Sequence, residues 1–225
     1  MVTRRDALEA TALALAGSTA GCLDAVPFLG DEQIEFEATP ASVPDPVLAE
    51  TDYREHRIQD VTLERTFAVD NRTQDVVVTN WQAEYDRAVD LGAAGLPTDE
   101  RLQAAIFTAL STPQVEVLGR TFNPIADRDP AELAEMVQDR YDGMSEIRQV
   151  GEAPAAIGGQ SATVGEFETE AELQETGLTV DLVLHIAEAV ESGDDLIVAV
   201  GGYPRVLQEQ EREHVFTLMG AVEHG

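Results

Sequence analysis

Four histidines, one cysteine and 43 carboxylates are the side chains from which this 225-residue chain could build a reactive or metal-binding centre. The histidines are His56, His185, His214 and His224. None forms a His-x-His pair or an i, i+4 helical pair, whereas zinc needs three or four convergent ligands. His185 alternates with Leu184 and Ile186 along one strand and is expected to be half exposed. Asp127-Arg128-Asp129 and Asp194-Asp195 could offer oxygens to calcium. Neither follows the loop spacing of a calcium site, and Asp129 suits a helix cap and Asp194 a turn. Ser161 follows Gly158-Gly159-Gln160, which is not the Gly-x-Ser-x-Gly elbow of a nucleophilic serine. Phosphate-loop, dinucleotide-loop and His-Glu-x-x-His patterns are all missing. The sequence therefore assigns no catalytic residue, no metal ligand and no cofactor.

Cysteine chemistry points elsewhere. Cys22 is the one cysteine, preceded by Ala16-Gly17-Ser18-Thr19-Ala20-Gly21. Arg4 and Arg5 stand ahead of a mainly apolar stretch too short for the roughly 20 residues that span a bilayer. Positive, briefly apolar, then small is the order of an export signal. The paired arginines resemble the twin-arginine class, and the small residues before Cys22 resemble a lipid-attachment site. The reading is a signal peptide over residues 1–21, a lipidated Cys22 with a short tether over 22–32, and one globular domain over 33–225. Cleavage before Cys22 would leave 204 residues and the same net charge. As a coil, ten tether residues reach roughly 17 Å. The expected location is the outer face of the cell membrane, held by lipid. Asn71-Arg72-Thr73 is a glycosylation sequon on an expected turn.

The solvent is legible too. All 14 basic residues are arginine, and the net charge is −29. Such self-repulsion destabilises a compact state in dilute buffer. In molar salt the Debye length falls to about 3 Å and the repulsion is screened. The composition implies an extreme halophile, and the acidic residues are spread along the chain rather than blocked. The same charge argues against electrostatic binding to nucleic acid or to anionic lipid, so the lipid on Cys22 must do the anchoring.

These residues must be carried by a framework in which strand signals dominate. Ile34, Phe36 and Ala38 alternate with Glu35 and Glu37. Leu63–Val69 and Val77–Tyr85 alternate around a turn at Asp70-Asn71-Arg72. Ala104–Leu110 and Val115–Leu118 are expected to pair across Pro113. Gly158-Gly159 marks a tight hairpin, because two glycines accept positive φ. Leu178–Ile186 alternates cleanly, and Leu196–Val200 follows a turn at Ser192–Asp195. Asp129-Pro130-Ala131-Glu132 predicts a capped helix start, with Leu133, Met136, Val137 and Tyr141 on one face. Val215, Leu218, Met219 and Val222 predict a final helix with one apolar stripe. A short further helix is compatible with Pro46–Glu50. The fold class expected is α+β: a single antiparallel sheet packed by a mid-chain and a C-terminal helix.

The export signal through Cys22, Ile34–Pro40, Gly158–Phe167 and Val200-Gly201-Gly202-Tyr203-Pro204-Arg205 together resemble an uncharacterised family of haloarchaeal lipoproteins. The order of strands and helices also resembles the PsbP-type α/β/α sandwich. That resemblance implies no activity. Tyr203 and Arg205 after the two glycines form the expected binding surface, since Tyr and Arg are favoured at interfaces. The function expected is a non-catalytic binding or accessory module for an unknown protein or small-molecule partner. The alternative is an extracytoplasmic hydrolase using paired carboxylates.

Overall fold

A computed structural model describes residues 33–69, 72–90, 92, 101–117, 120–123, 125–138, 144–173 and 178–225. The expectations placed on Arg4, Arg5, Cys22, Asn71 and Tyr141 lie outside these residues. In chain order the elements are β1 (Ile34–Glu37), β2 (Ala41–Ser42), α1 (Asp45–Thr51), β3 (Arg54–Val69), β4 (Arg72–Asp90), β5 (Arg101–Pro113), β6 (Glu116–Val117) and β7 (Arg120–Thr121). There follow α2 (Pro130–Gln138), β8 (Arg148–Ile157), β9 (Gln160–Leu173), β10 (Leu178–Ala187), β11 (Val190–Ser192) and β12 (Asp195–Pro204). A 3-10 turn at Arg205–Leu207 leads into α3 (Gln208–Gly220), and β13 (Glu223–His224) follows.

Nine strands join in one sheet, in the order β1-β4-β5-β12-β10-β9-β8, with β3 added on β4 and β11 on β12. The sheet is mixed. β1 runs parallel to β4, with Ile34 opposite Val76 and Glu37 opposite Thr79, while the other ladders of this sheet are antiparallel. Among the described residues three α-helices pack on it, so the expectation of a single antiparallel sheet packed by two helices is corrected. The cause is local brevity. Ile34–Glu37 shows its alternation in sequence but nothing that fixes its direction, and α1 is only 7 residues long. Val115–Leu118 is corrected as well: β6 pairs with β7, not with β5.

Other elements form as their residues dictate. Gly158 and Gly159 take φ of 56° and 80° and turn β8 into β9. At the start of α2, Asp129 Oδ1 accepts from the Glu132 N–H at 2.9 Å, and Glu132 Oε2 accepts from the Asp129 N–H at 3.2 Å. This reciprocal box satisfies two otherwise orphaned donors.

Helices cover both faces of the sheet. On one face α1 and α3 bury Leu48, Tyr85, Phe107, Ile197, Leu218 and Met219 among others. On the opposite face Leu133 and Ala134 of α2 pack over Phe167, Leu184, Ile186 and Val198. A third cluster lies on the outer half of the β3–β4 hairpin, where Val76, Val115 and Val117 meet Ile34, Phe36, Phe67 and Phe122. The ends of the domain are joined. β13 pairs with β2, and the buried Asp195 carboxylate accepts from the Thr39 N–H at 2.7 Å and lies 2.9 Å from His224 Nε2. Among the described residues no helix is long and apolar enough to cross a membrane.

Candidate functional site

The most unusual side-chain chemistry lies beneath α3. On β10 the side chains of Val183 and His185 point to the α3 face, and on β12 Tyr203 does the same. Val183 is opposite Tyr203 and His185 is opposite Gly201, so the histidine and tyrosine are diagonal neighbours. Gly201 carries no side chain because a Cβ there would run into Val215 of α3. The bare backbone lets the helix settle directly on the sheet and close the space around the pair.

His185 and Tyr203 are both fully buried, and His185 Nε2 lies 2.6 Å from Tyr203 Oη. Phe216 of α3 closes the ring from above, edge-on at 5.3 Å. The other imidazole nitrogen, Nδ1, has no hydrogen-bond partner among the described residues, and Glu166 Oε1 stands 4.0 Å away. Glu166, directly opposite His185 on β9, is claimed by Arg212 through Nε at 3.0 Å and Nη2 at 2.5 Å. The Arg212 guanidinium also lies 4.6 Å over the Phe216 ring, a cation–π contact.

Burial pushes the His185 pKa down to about 4, against the opposing pull of Glu166. Burial also pushes the Tyr203 hydroxyl well above the usual phenol range, with Glu166 adding to the rise. The pair is therefore neutral at pH 7. Nε2 and the hydroxyl share one hydrogen bond, in which the tautomer decides which of them donates. A half-exposed His185 was the expectation, because it sits opposite Leu184 and Ile186 on its strand. With helices on both faces of the sheet, both sides of β10 are interior.

A second buried group sits beside it. Glu211 of α3 has no exposed surface. It accepts from Tyr53 Oη at 3.1 Å and from Arg87 Nη1, and His214 Nδ1 lies 3.7 Å from it. Asp52 stands 3.8 Å from the Arg87 Nε. Burial, then the Glu211 charge, holds the Tyr53 phenol far above its ordinary pKa. Glu211 reads in sequence as one of the solvated charges at the start of the last helix. The signal that could have found it is its position four residues before Val215, on the same stripe.

The expected surface formed by Tyr203 and Arg205 is only half present. Tyr203 is interior, because β12 continues through Pro204 instead of turning at the glycines. This corrects its placement on the surface. Arg205 is 48% exposed and reaches Glu168 at 3.2 Å and Asp181 at 3.5 Å. Arg148 holds the other oxygen of Glu168 at 2.6 Å. Two exposed valines, Val150 (45%) and Val206 (53%), belong to the β8 and 3-10 segments that carry these arginines.

Each histidine has a different carboxylate: His56 takes Asp86 at 3.1 Å, and His185, His214 and His224 take Glu166, Glu211 and Asp195. Among the described residues no three His, Cys, Asp or Glu converge as metal ligands. Asp129 caps α2, Asp194 lies in the β11–β12 turn, and Ser161 lies exposed on β9. Two surface depressions are lined mainly by charged and polar residues. One of about 450 Å³ is lined by Glu209, Arg212, Glu213, Phe216 and Thr217 on the outer side of α3. Another of about 290 Å³ is lined by Asp52, Arg54, Asp86, Ala88 and Gln103.

No curated protein matches the chain. The family described as a domain of unknown function, DUF6517, matches residues 40–223, which take in every strand of the nine-stranded sheet but β1, together with α1, α2 and α3, and the chain belongs to that family.

Proposed function

We propose that this protein is a lipid-anchored, extracytoplasmic module of an extreme halophile of the haloarchaeal kind, and that it binds a partner without catalysis. The anchor rests on Cys22 and on Arg4-Arg5 ahead of a short apolar stretch; the halophilic setting rests on a −29 charge with no lysine. Helices on both faces of the sheet fit the PsbP-type sandwich that the resemblance implies.

The observation that carries the non-catalytic reading is closure. His185, Tyr203 and Glu211 have no exposed surface, and their polar atoms are directed at one another or at Arg87, Tyr53 and Glu166. A general acid or base must lie within hydrogen-bond reach of its substrate, and these groups lie behind α3. A hydrolase built on carboxylates would turn to Glu166, the acid nearest His185, but Arg212 already holds that group in two hydrogen bonds. Recognition is better served by the rim of Arg205, Val206, Arg148 and Val150, where apolar side chains sit among arginines.

The test is affinity capture of the membrane-bound protein in molar salt, comparing wild type with Val206→Asp. The expected result is a partner retained by wild type and lost from the variant. A partner held equally by both would refute this face. In parallel, Cys22→Ser should release the protein from the membrane fraction or leave it unprocessed, and unchanged fractionation and processing would refute the anchor.

A further inference from the structure

The way β1 enters the sheet, with the lipid-anchor reading above, assigns an orientation: we propose that the outer arm of the β3–β4 hairpin faces the lipid surface and the Arg205 end points away from it. β1 lies parallel to β4 with Ile34 opposite Val76 and Glu37 opposite Thr79. β4 begins at Arg72 and runs inward, so β1 also runs inward from the arm. The chain therefore enters the fold from the direction of the hairpin tip. Cys22 precedes Ile34 by 12 residues, a span of at most about 40 Å at full extension, so the lipid lies within that reach of the start of β1.

The arm is a distinct part of the molecule. β5 pairs with β4 only from Trp81 to Asp90. From Trp81 out to Arg72 the hairpin continues with β1 on its flank, a further extension of about 30 Å at strand rise. Its Phe67 and Val76 form a separate cluster with Ile34 and Phe36 of β1 and with Val115, Val117 and Phe122 of the β6–β7 segment. Leu63, 42% exposed, lies on the same arm opposite Val78. The carboxylates there, such as Glu35, Glu64 and Asp75, do not forbid approach to an anionic surface, because molar salt screens them beyond about 3 Å. At the opposite end of the strands Arg205 follows β12, and α3 starts at Gln208. That orientation leaves the Arg205–Val206 rim turned toward the medium.

The test uses the full lipidated protein in phosphatidylglycerol vesicles carrying an acceptor-labelled lipid, in molar KCl. With Cys22 blocked by lipid, one introduced cysteine is a unique label site: Glu64→Cys on the arm, or Glu209→Cys at the start of α3, both exposed. Energy transfer to the lipid acceptor should be at least about twofold greater from the arm, given roughly 35 Å between the two levels along the strands. Equal or reversed transfer from protein that floats with the vesicles would overturn the orientation and leave the anchor intact. Protein with Cys22 in place that does not float with vesicles would overturn the anchor and the orientation together.

Discussion

His185→Phe should change the acid sensitivity of the fold in one pH window. The imidazole is fully buried, and burial lowers its pKa to about 4; in the unfolded chain the ordinary value of about 6.5 applies. Below pH 6.5 the unfolded state takes up a proton that the folded state refuses, so stability falls as pH falls until the folded imidazole titrates near 4. Each pKa unit is worth about 1.4 kcal/mol, which gives a loss of about 2 kcal/mol by pH 5 and about 3 kcal/mol by pH 4. Carboxylates titrate over part of the same range, but they do so in both proteins, and the difference between wild type and variant isolates the histidine. Phenylalanine leaves the Tyr203 hydroxyl without its partner, an offset that does not vary with pH because that phenol stays protonated. The assay is urea unfolding in molar KCl at pH 7 and pH 5. The wild type should lose about 2 kcal/mol more than His185→Phe between the two. Equal losses would show that the imidazole takes up its proton in the fold as readily as in the unfolded chain, and the account of burial lowering its pKa would be wrong.

Leu218→Ala, at a side chain with no exposed surface, should cost about 2–5 kcal/mol in the same unfolding assay; a loss under about 0.5 kcal/mol would mean that α3 does not dock as described. Glu211→Ala leaves Arg87 and Tyr53 facing a void and should cost about 3–5 kcal/mol, whereas Glu213→Ala on the exposed side of the same helix should be close to neutral. Thermal unfolding of residues 23–225 should shift steeply upward from dilute buffer to molar KCl, as screening of the −29 charge requires; a midpoint indifferent to salt would refute the halophilic reading of the composition.

Where a feature is decided by neighbours in the chain, the sequence was a good guide. The Asp129–Glu132 box, the Gly158-Gly159 turn, the strand over Leu178–Ile186 and the stripe of Val215, Leu218 and Met219 all depend on spacings of a few residues, and all are present, whereas Val222, expected on the same helix, is buried beyond its end at Gly220. What escaped depends on pairings far apart in the chain. Four residues of Ile34–Glu37 cannot specify that they will lie parallel to a strand some 40 positions later. Val115–Val117 has a plausible neighbour in β5, yet its partner is the two-residue β7. The site was hidden for a related reason. A histidine between Leu184 and Ile186 looks half exposed unless it is known that α2 covers one face of the sheet and α3 the other. Gly201-Gly202-Tyr203-Pro204 looks like a turn, but the glycine makes room for Val215 and the strand runs on. Glu211 looks solvated because most charges at helix starts are.

The clasp between β2 and β13 bears on when this chain can become itself. Thr39 is held by Asp195 across 156 positions, and the strand after Thr39 is held by Glu223 and His224, more than 180 positions further on. Contacts of such sequence separation close late and slowly, since the entropy of joining distant segments is lost before their pairing rewards it. Neither partner of the early strand exists while the ribosome is still making β10. Synthesis from the N-terminus therefore leaves Ala41–Ser42 without its ladder until Glu223 and His224 have been made.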